Sequence, residues 1–90
     1  MKTIEFDVKI PKELTFVNLC TGLVHHGSEF TSDMTITTND HQTNPVDLKS
    51  ILGIMSLAMS NGKHVIITIS GEDEDRAELV IKSYAERFSA

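Results

Sequence analysis

Ninety residues suffice for one domain, and a chain this short buries only about 60% of its unfolded surface, which sets a stability of about 5–10 kcal/mol. Hydrophobic residues at 40% and charged residues at 23% exclude a disordered or low-complexity chain, and no apolar run approaches the ~18 residues of a membrane span. A net charge of −5, with 8 scattered basic residues against 13 acidic ones, argues against nucleic acid or an anionic membrane as partner, and a single cysteine excludes a disulfide framework or a thiolate metal site. Met1 to Asp7 alternates apolar with polar and charged residues and is no signal peptide, so the expected location is the cytoplasm.

Ile4, Phe6, Val8 and Ile10 alternate with Glu5, Asp7 and Lys9, the period of a strand with one buried face. Pro11 ends it, because proline donates no ladder hydrogen bond. From Val17 to Glu29 the period lengthens. Val17, Cys20, Leu23, Val24 and Gly27 share one helix face, flanked by Phe16 and Leu19, while Gly22 and Gly27 lower the propensity. Met34 and Ile36 alternate with Thr35 and Thr37 in a second strand. The polar stretch Thr38 to Asn44 reads as a hairpin loop. Val46 and Leu48, after Pro45, give a short third strand at an edge.

Ser50 to Met59 forms a short helix, and Asn61-Gly62 is a strong turn signal. The nearly continuous run Val65, Ile66, Ile67 and Ile69 makes His64 to Ser70 a central strand. Gly71 turns the chain. Asp73 is placed as the N-cap of a last helix, with Glu72 to Asp75 setting negative charge at its positive end. Ala77, Val80, Ile81, Tyr84 and Phe88 share one face of that helix. The order β-α-β-β-α-β-α over residues 1–90 predicts an α+β open-faced sandwich, a four-stranded antiparallel sheet with three helices on one face.

Little in the chain suggests catalysis. His25 and His26 are adjacent and point about 100° apart on a helix, His41 lies in the hairpin loop, and His64 begins a strand. No pair has the i,i+4 spacing of a helical metal site, and no phosphate-cradling glycine loop or nucleophile elbow is present. Cys20 sits inside an apolar stripe as a buried thiol. The expectation is a non-enzyme without cofactor or metal.

The Ser50 helix stands apart. Ile51, Ile54, Met55 and Ala58 cover one side, Leu52 and Met59 flank it, and Leu57 lies well round the other way. That apolar arc exceeds what a helix on a sheet can bury, so part of it should face solvent as an interaction surface, unless loops or neighbouring helices cover it. Ser50 fits the ordinary N-cap role. The same position also suits a phosphate, whose charge would sit beside unpaired N–H groups.

Val46-Asp47-Leu48-Lys49-Ser50-Ile51-Leu52-Gly53-Ile54-Met55-Ser56-Leu57-Ala58 resembles the regulatory-serine segment of HPr, the histidine-containing phosphocarrier family of the bacterial sugar phosphotransferase system. Gly71 to Ala77 resembles the start of that family's last helix, and Phe30-Thr31-Ser32-Asp33 the entry to its second strand. The likeness spans the chain in the same element order, strong from Val46 to Ala77 and weak from Pro11 to Glu29. Family carriers open the first helix with Gly-Leu-His-Ala-Arg-Pro, whose histidine takes the phosphoryl group. Aligned without a gap back from Phe30, this chain has Leu14-Thr15-Phe16-Val17-Asn18-Leu19. Phe16 thus stands at the histidine position, Asn18 at the arginine and Leu19 at the proline. A phenyl ring offers no nucleophilic nitrogen, and Asn18 no charge for a phosphate. His25 is no substitute, since too few residues would remain before Phe30 to build the helix.

The resemblance therefore implies a member that keeps the serine switch and has lost the histidine relay, as in the family's catabolite-repression paralogue of Gram-positive bacteria. It implies phosphorylation of Ser50 by an HPr kinase/phosphorylase and binding to a LacI-type catabolite control regulator. Lys49, Ile51, Leu52 and Met55 would meet the partner, with Ile54 and Leu57 packed inward, in a monomer or weak homodimer without direct contact to nucleic acid or membrane. Two other readings stay open: a phosphoryl carrier with an unusual acceptor, and an interaction module in which Ser50 is only a cap.

Overall fold

The structure is a computed structural model and describes residues 1–38 and 44–90. In chain order the elements are β1 (Lys2–Asp7), α1 (Phe16–Gly27), β2 (Asp33–Thr38), β3 (Val46–Asp47), α2 (Ile51–Met55), β4 (His64–Ser70) and α3 (Glu74–Glu86). The strands form one antiparallel sheet in the order β1-β4-β2-β3. Its register places Ile67 between Ile4 and Ile36, and Ile69 opposite Met34. These side chains line the face that the helices cover. Leu19, Cys20 and Leu23 of α1, Ile54 of α2, and Ala77, Ile81 and Ala85 of α3 close the core over them. The other face carries the alternate residues, so strand periodicity of two translates directly into one dry and one wet side. None of the helices among the described residues is long and apolar enough to cross a membrane.

The elements match the expected order, with local corrections. The first strand ends at Asp7; beyond it Val8 bonds Lys63 and Gly62 and bridges Ser89, and the Ile10 N–H is taken by Asn61 Oδ1 at 2.8 Å. The third strand is two residues long and stops before Leu48, which is fully buried. Val17 is 47% exposed and Leu19 is buried, because the centre of the α1 stripe runs through Leu19, Cys20, Leu23 and Gly27, leaving Val17 beyond its margin. Val80 is likewise at the margin of the α3 stripe and exposed. The expected hairpin loop, with His41, lies outside the described residues except for its ends, Thr38 and Asn44.

The largest correction is at α2, which ends at Met55 and not at Met59. Ser56 caps it, Leu57 and Met59 turn into the core, and Ala58 adopts φ 49 to let them do so. Burying two large side chains, each worth about 1.5–3 kcal/mol, outweighs the left-handed backbone at one small residue, about 1–2 kcal/mol. The glycines of α1 also have a packing reason. A Cβ on Gly22 would lie 1.9 Å from Tyr84 Oη, and one on Gly27 would lie 2.5 Å from Leu48 Cδ2. Tyr84 thereby reaches the Asn18 carbonyl, to which its hydroxyl donates at 2.8 Å, fastening α3 to α1.

Candidate functional site

Ser50 stands in extended backbone immediately before α2, and its Oγ accepts a hydrogen bond from Gly53 N at 3.2 Å. Its own N–H donates to Asp47 O at 3.0 Å, and its carbonyl accepts the first helical bond, from Ile54 N, at 2.9 Å. A Cβ on Gly53 would sit 3.3 Å from that Oγ, so the glycine keeps the cap unobstructed. Ser50 as a residue is half-buried. With only five residues α2 has a small dipole, so a charge at its start gains little from it, about 0.3 kcal/mol.

The apolar arc of α2 is split by burial. Leu52 is 80% exposed and Met55 41%, whereas Ile54 is fully buried and Leu57 nearly so. Ile51, expected on the outward face, is instead half-buried and packed against the core. Lys49 is also not a free surface cation: its Nζ donates to Phe30 O at 2.7 Å, and its N–H to Asp47 Oδ1 at 3.0 Å. The exposed apolar surface here is thus Leu52 and Met55, next to the partly open Ser50.

Phe16 opens α1. Ahead of it Thr15 caps the helix reciprocally with Asn18, Thr15 N donating to Asn18 Oδ1 at 2.8 Å and Asn18 N to Thr15 Oγ1 at 3.2 Å. Thr15 and Asn18, three residues apart, are a capping box with asparagine in the glutamate position. Phe16, half-buried, lines an apolar depression of about 400 Å³ with Ile10, Ala58, Met59, Ser60 and Asn61. α1 packs against α2 with Gly27, at the end of α1, beside Leu48 and Lys49 just ahead of Ser50, while Phe16, at the start of α1, meets Ala58 to Asn61 beyond the end of α2.

Two polar clusters escaped the sequence reading. Asp73 precedes α3 but makes no side-chain cap. Its carboxylate accepts from Thr31 N at 2.9 Å, Ser32 N at 3.0 Å and both hydroxyls, the Ser32 Oγ contact being the shortest. The Ser32 hydroxyl and the Thr31 N–H, foremost among these donors, hold its pKa down at about 2. His64, expected on a solvated surface, is clasped by Glu5 Oε1 at 2.9 Å and Asp7 Oδ1 at 2.8 Å on the neighbouring strand, and these hydrogen bonds raise its pKa. The β1–β4 register, which sets Asp7 opposite His64, is the cause. His26 pairs with Glu29 at 3.3 Å and stacks near Tyr84, while burial pushes the Cys20 thiol up to about 11. Among the described residues no group of three or more His, Cys, Asp or Glu side chains is placed to hold a metal ion.

A sequence profile described as the PTS HPr component phosphorylation site matches residues 4–87. The phosphocarrier protein HPr of Lysinibacillus sphaericus is 36% identical over 77 residues, covering 86% of this chain and 83% of that protein. The HPr-like protein Crh of Bacillus subtilis is 36% identical over 63 residues, covering 70% and 71%. The solved structure of HPr-C-His from Thermoanaerobacter tengcongensis superposes with a TM-score of 0.79 at 29% identity, covering 96% of this chain and 92% of that one. With element order, sheet topology and sequence in agreement along nearly its whole length, this chain belongs to the HPr family of the bacterial phosphotransferase system.

Proposed function

We propose that this HPr-family chain is a non-enzymatic regulatory protein, switched by phosphorylation of Ser50 and acting by protein binding in carbon catabolite control in the cytoplasm. The observation that carries the reading is the pairing at α2 of a half-buried serine, held in the cap position, with exposed Leu52 and Met55. Phe16 at the start of α1 supports it from the other side, as a phenyl ring cannot take a phosphoryl group. On this reading an HPr kinase/phosphorylase modifies Ser50, and a LacI-type regulator reads the phosphate together with Leu52 and Met55, with Ile51 and Lys49 supporting the surface from beneath. A phosphate oxygen can keep the bond from Gly53 N, so modification alters the surface more than the fold.

The test is intact mass after incubation with HPr kinase/phosphorylase and ATP. One added phosphate, absent from Ser50→Ala, is expected. Unchanged mass would leave Ser50 as a cap in a plain interaction module. A parallel incubation with enzyme I and phosphoenolpyruvate should give no acid-labile label, and label on His25 or another histidine would establish a phosphoryl carrier instead.

A further inference from the structure

β1 lies at one margin of the sheet, and its pairing with β4 fixes which backbone groups face outward. Val8 N donates to Lys63 O at 2.8 Å and Val8 O accepts from Gly62 N at 2.9 Å, so the even-numbered residues turn their peptide groups toward β4. The odd-numbered ones turn away. At the lower end this outer edge is occupied by the chain itself: Lys9 N donates to Phe88 O at 2.7 Å, Asp7 O accepts from Ala90 N at 3.0 Å, and Val8 bridges Ser89 in the antiparallel sense. Thr3 and Glu5 follow on the same edge. Among the described residues no strand pairs with them there. Beside them a groove of about 190 Å³ runs between β1 and α3, lined on the helix side by Glu78, Lys82 and Glu86, with Lys2, paired to Asp75 at 3.1 Å, near Glu78.

We propose that this edge is a docking site for an extended, basic segment of another protein, added antiparallel as a further strand in line with Phe88–Ala90. The backbone pattern selects a strand as occupant, and the chain already lays one on the adjoining stretch. Charge selects its composition. Side chains of an added strand alternate between the open face, beside Glu5 and Asp7, and the helix side, beside Glu78 and Glu86. His64 clasps the first two carboxylates through one oxygen each, leaving the second oxygen of each for a cation. A second copy of this chain is disfavoured, because edge-to-edge pairing would bring two acidic margins of the same net-negative chain together.

The probe is the peptide acetyl-Lys-Val-Lys-Val-Lys-Val-amide, titrated into isotope-labelled protein and followed by backbone amide shifts and hydrogen exchange. Saturable shifts and slowed exchange at Thr3 and Glu5 are expected. A peptide N-methylated at every residue, which blocks both of its edges, should lose them. Glu5→Pro should weaken binding about tenfold or more while keeping the fold, because the N–H it removes points away from β4. No shift at these amides with millimolar peptide would overturn the proposal, as would equal binding of the N-methylated peptide, which would mean charge attraction alone. Protection of Thr3 and Glu5 that grows with protein concentration, with a dimer in sedimentation, would assign the edge to a second copy and also overturn it. Should Glu5→Pro fail to fold, the N-methylated peptide decides.

Discussion

Leu52 and Ile54, two residues apart in α2, should respond oppositely to truncation. Leu52 is 80% exposed, so about one fifth of its side chain is buried. Full burial of a leucine is worth about 1.5–3 kcal/mol, which puts the loss in Leu52→Ala at about 0.3–0.6 kcal/mol, and alanine's higher helix propensity offsets part of it. Ile54 is fully buried, and Ile54→Ala leaves a cavity costing about 2–5 kcal/mol out of a total of about 5–10. In urea, with an m-value of about 1 kcal/mol/M, the midpoint should move by about 2 M or more for Ile54→Ala and about 0.5 M or less for Leu52→Ala. In binding the order reverses: an interface anchor typically costs more than about 1 kcal/mol when truncated, so Leu52→Ala should weaken partner binding at least about fivefold. A loss of about 2 kcal/mol or more of folding stability in Leu52→Ala would refute the reasoning, since it would make the residue part of the core.

Gly22→Ala should destabilise by about 1–3 kcal/mol although it raises helix propensity, because the new methyl displaces the Tyr84 ring; pairing it with Tyr84→Ala in a thermodynamic cycle should remove most of the penalty. Asp73 has its folded pKa lowered to about 2 from an ordinary 3.8, so its contribution is present above 3.8 and lost as pH falls toward 2; acid unfolding of Asp73→Asn should show a flatter dependence in that window. His64 has its pKa raised from 6.5, so its contribution is full below 6.5 and lost as pH rises through the folded value. His64→Gln should therefore melt lower than the wild type near about pH 5 and approach it near about pH 9. Cys20, fully buried and with its thiol near 11, should resist a thiol reagent in the native protein and react at once in urea.

Periodicity made the architecture legible. Alternation in Ile4-Phe6 and Met34-Ile36 marks the strand faces, and the run at Val65–Ile69 marks the central strand, because both follow from neighbours along the chain. The Ser50 cap was equally local. What escaped depended on distant residues. α2 reads as continuing to Met59 since nothing in its composition breaks it; it stops because the core draws in Leu57 and Met59. Ile51 and Leu52 are adjacent apolar residues whose separation into half-buried and exposed depends on how the helix is rolled. Asp73 has the sequence of a cap, yet its partners lie 41 and 42 residues away at Ser32 and Thr31. The Thr15–Asn18 box has the spacing of a capping box but not its usual composition, since asparagine replaces the acid.

The Asp73 clasp has a consequence for how the molecule opens. Thr31 and Ser32 lie outside any regular element, where amides ordinarily exchange through small local fluctuations. Here both amides are held by a carboxylate at the entrance of α3, and Gly71 lies so close that a Cβ there would come within 2.7 Å of Ser32 Cα. Releasing either amide therefore requires the front of α3 to lift away from the start of β2. The two loop amides become reporters of helix undocking, and their exchange should track that of α3 rather than that of a surface turn.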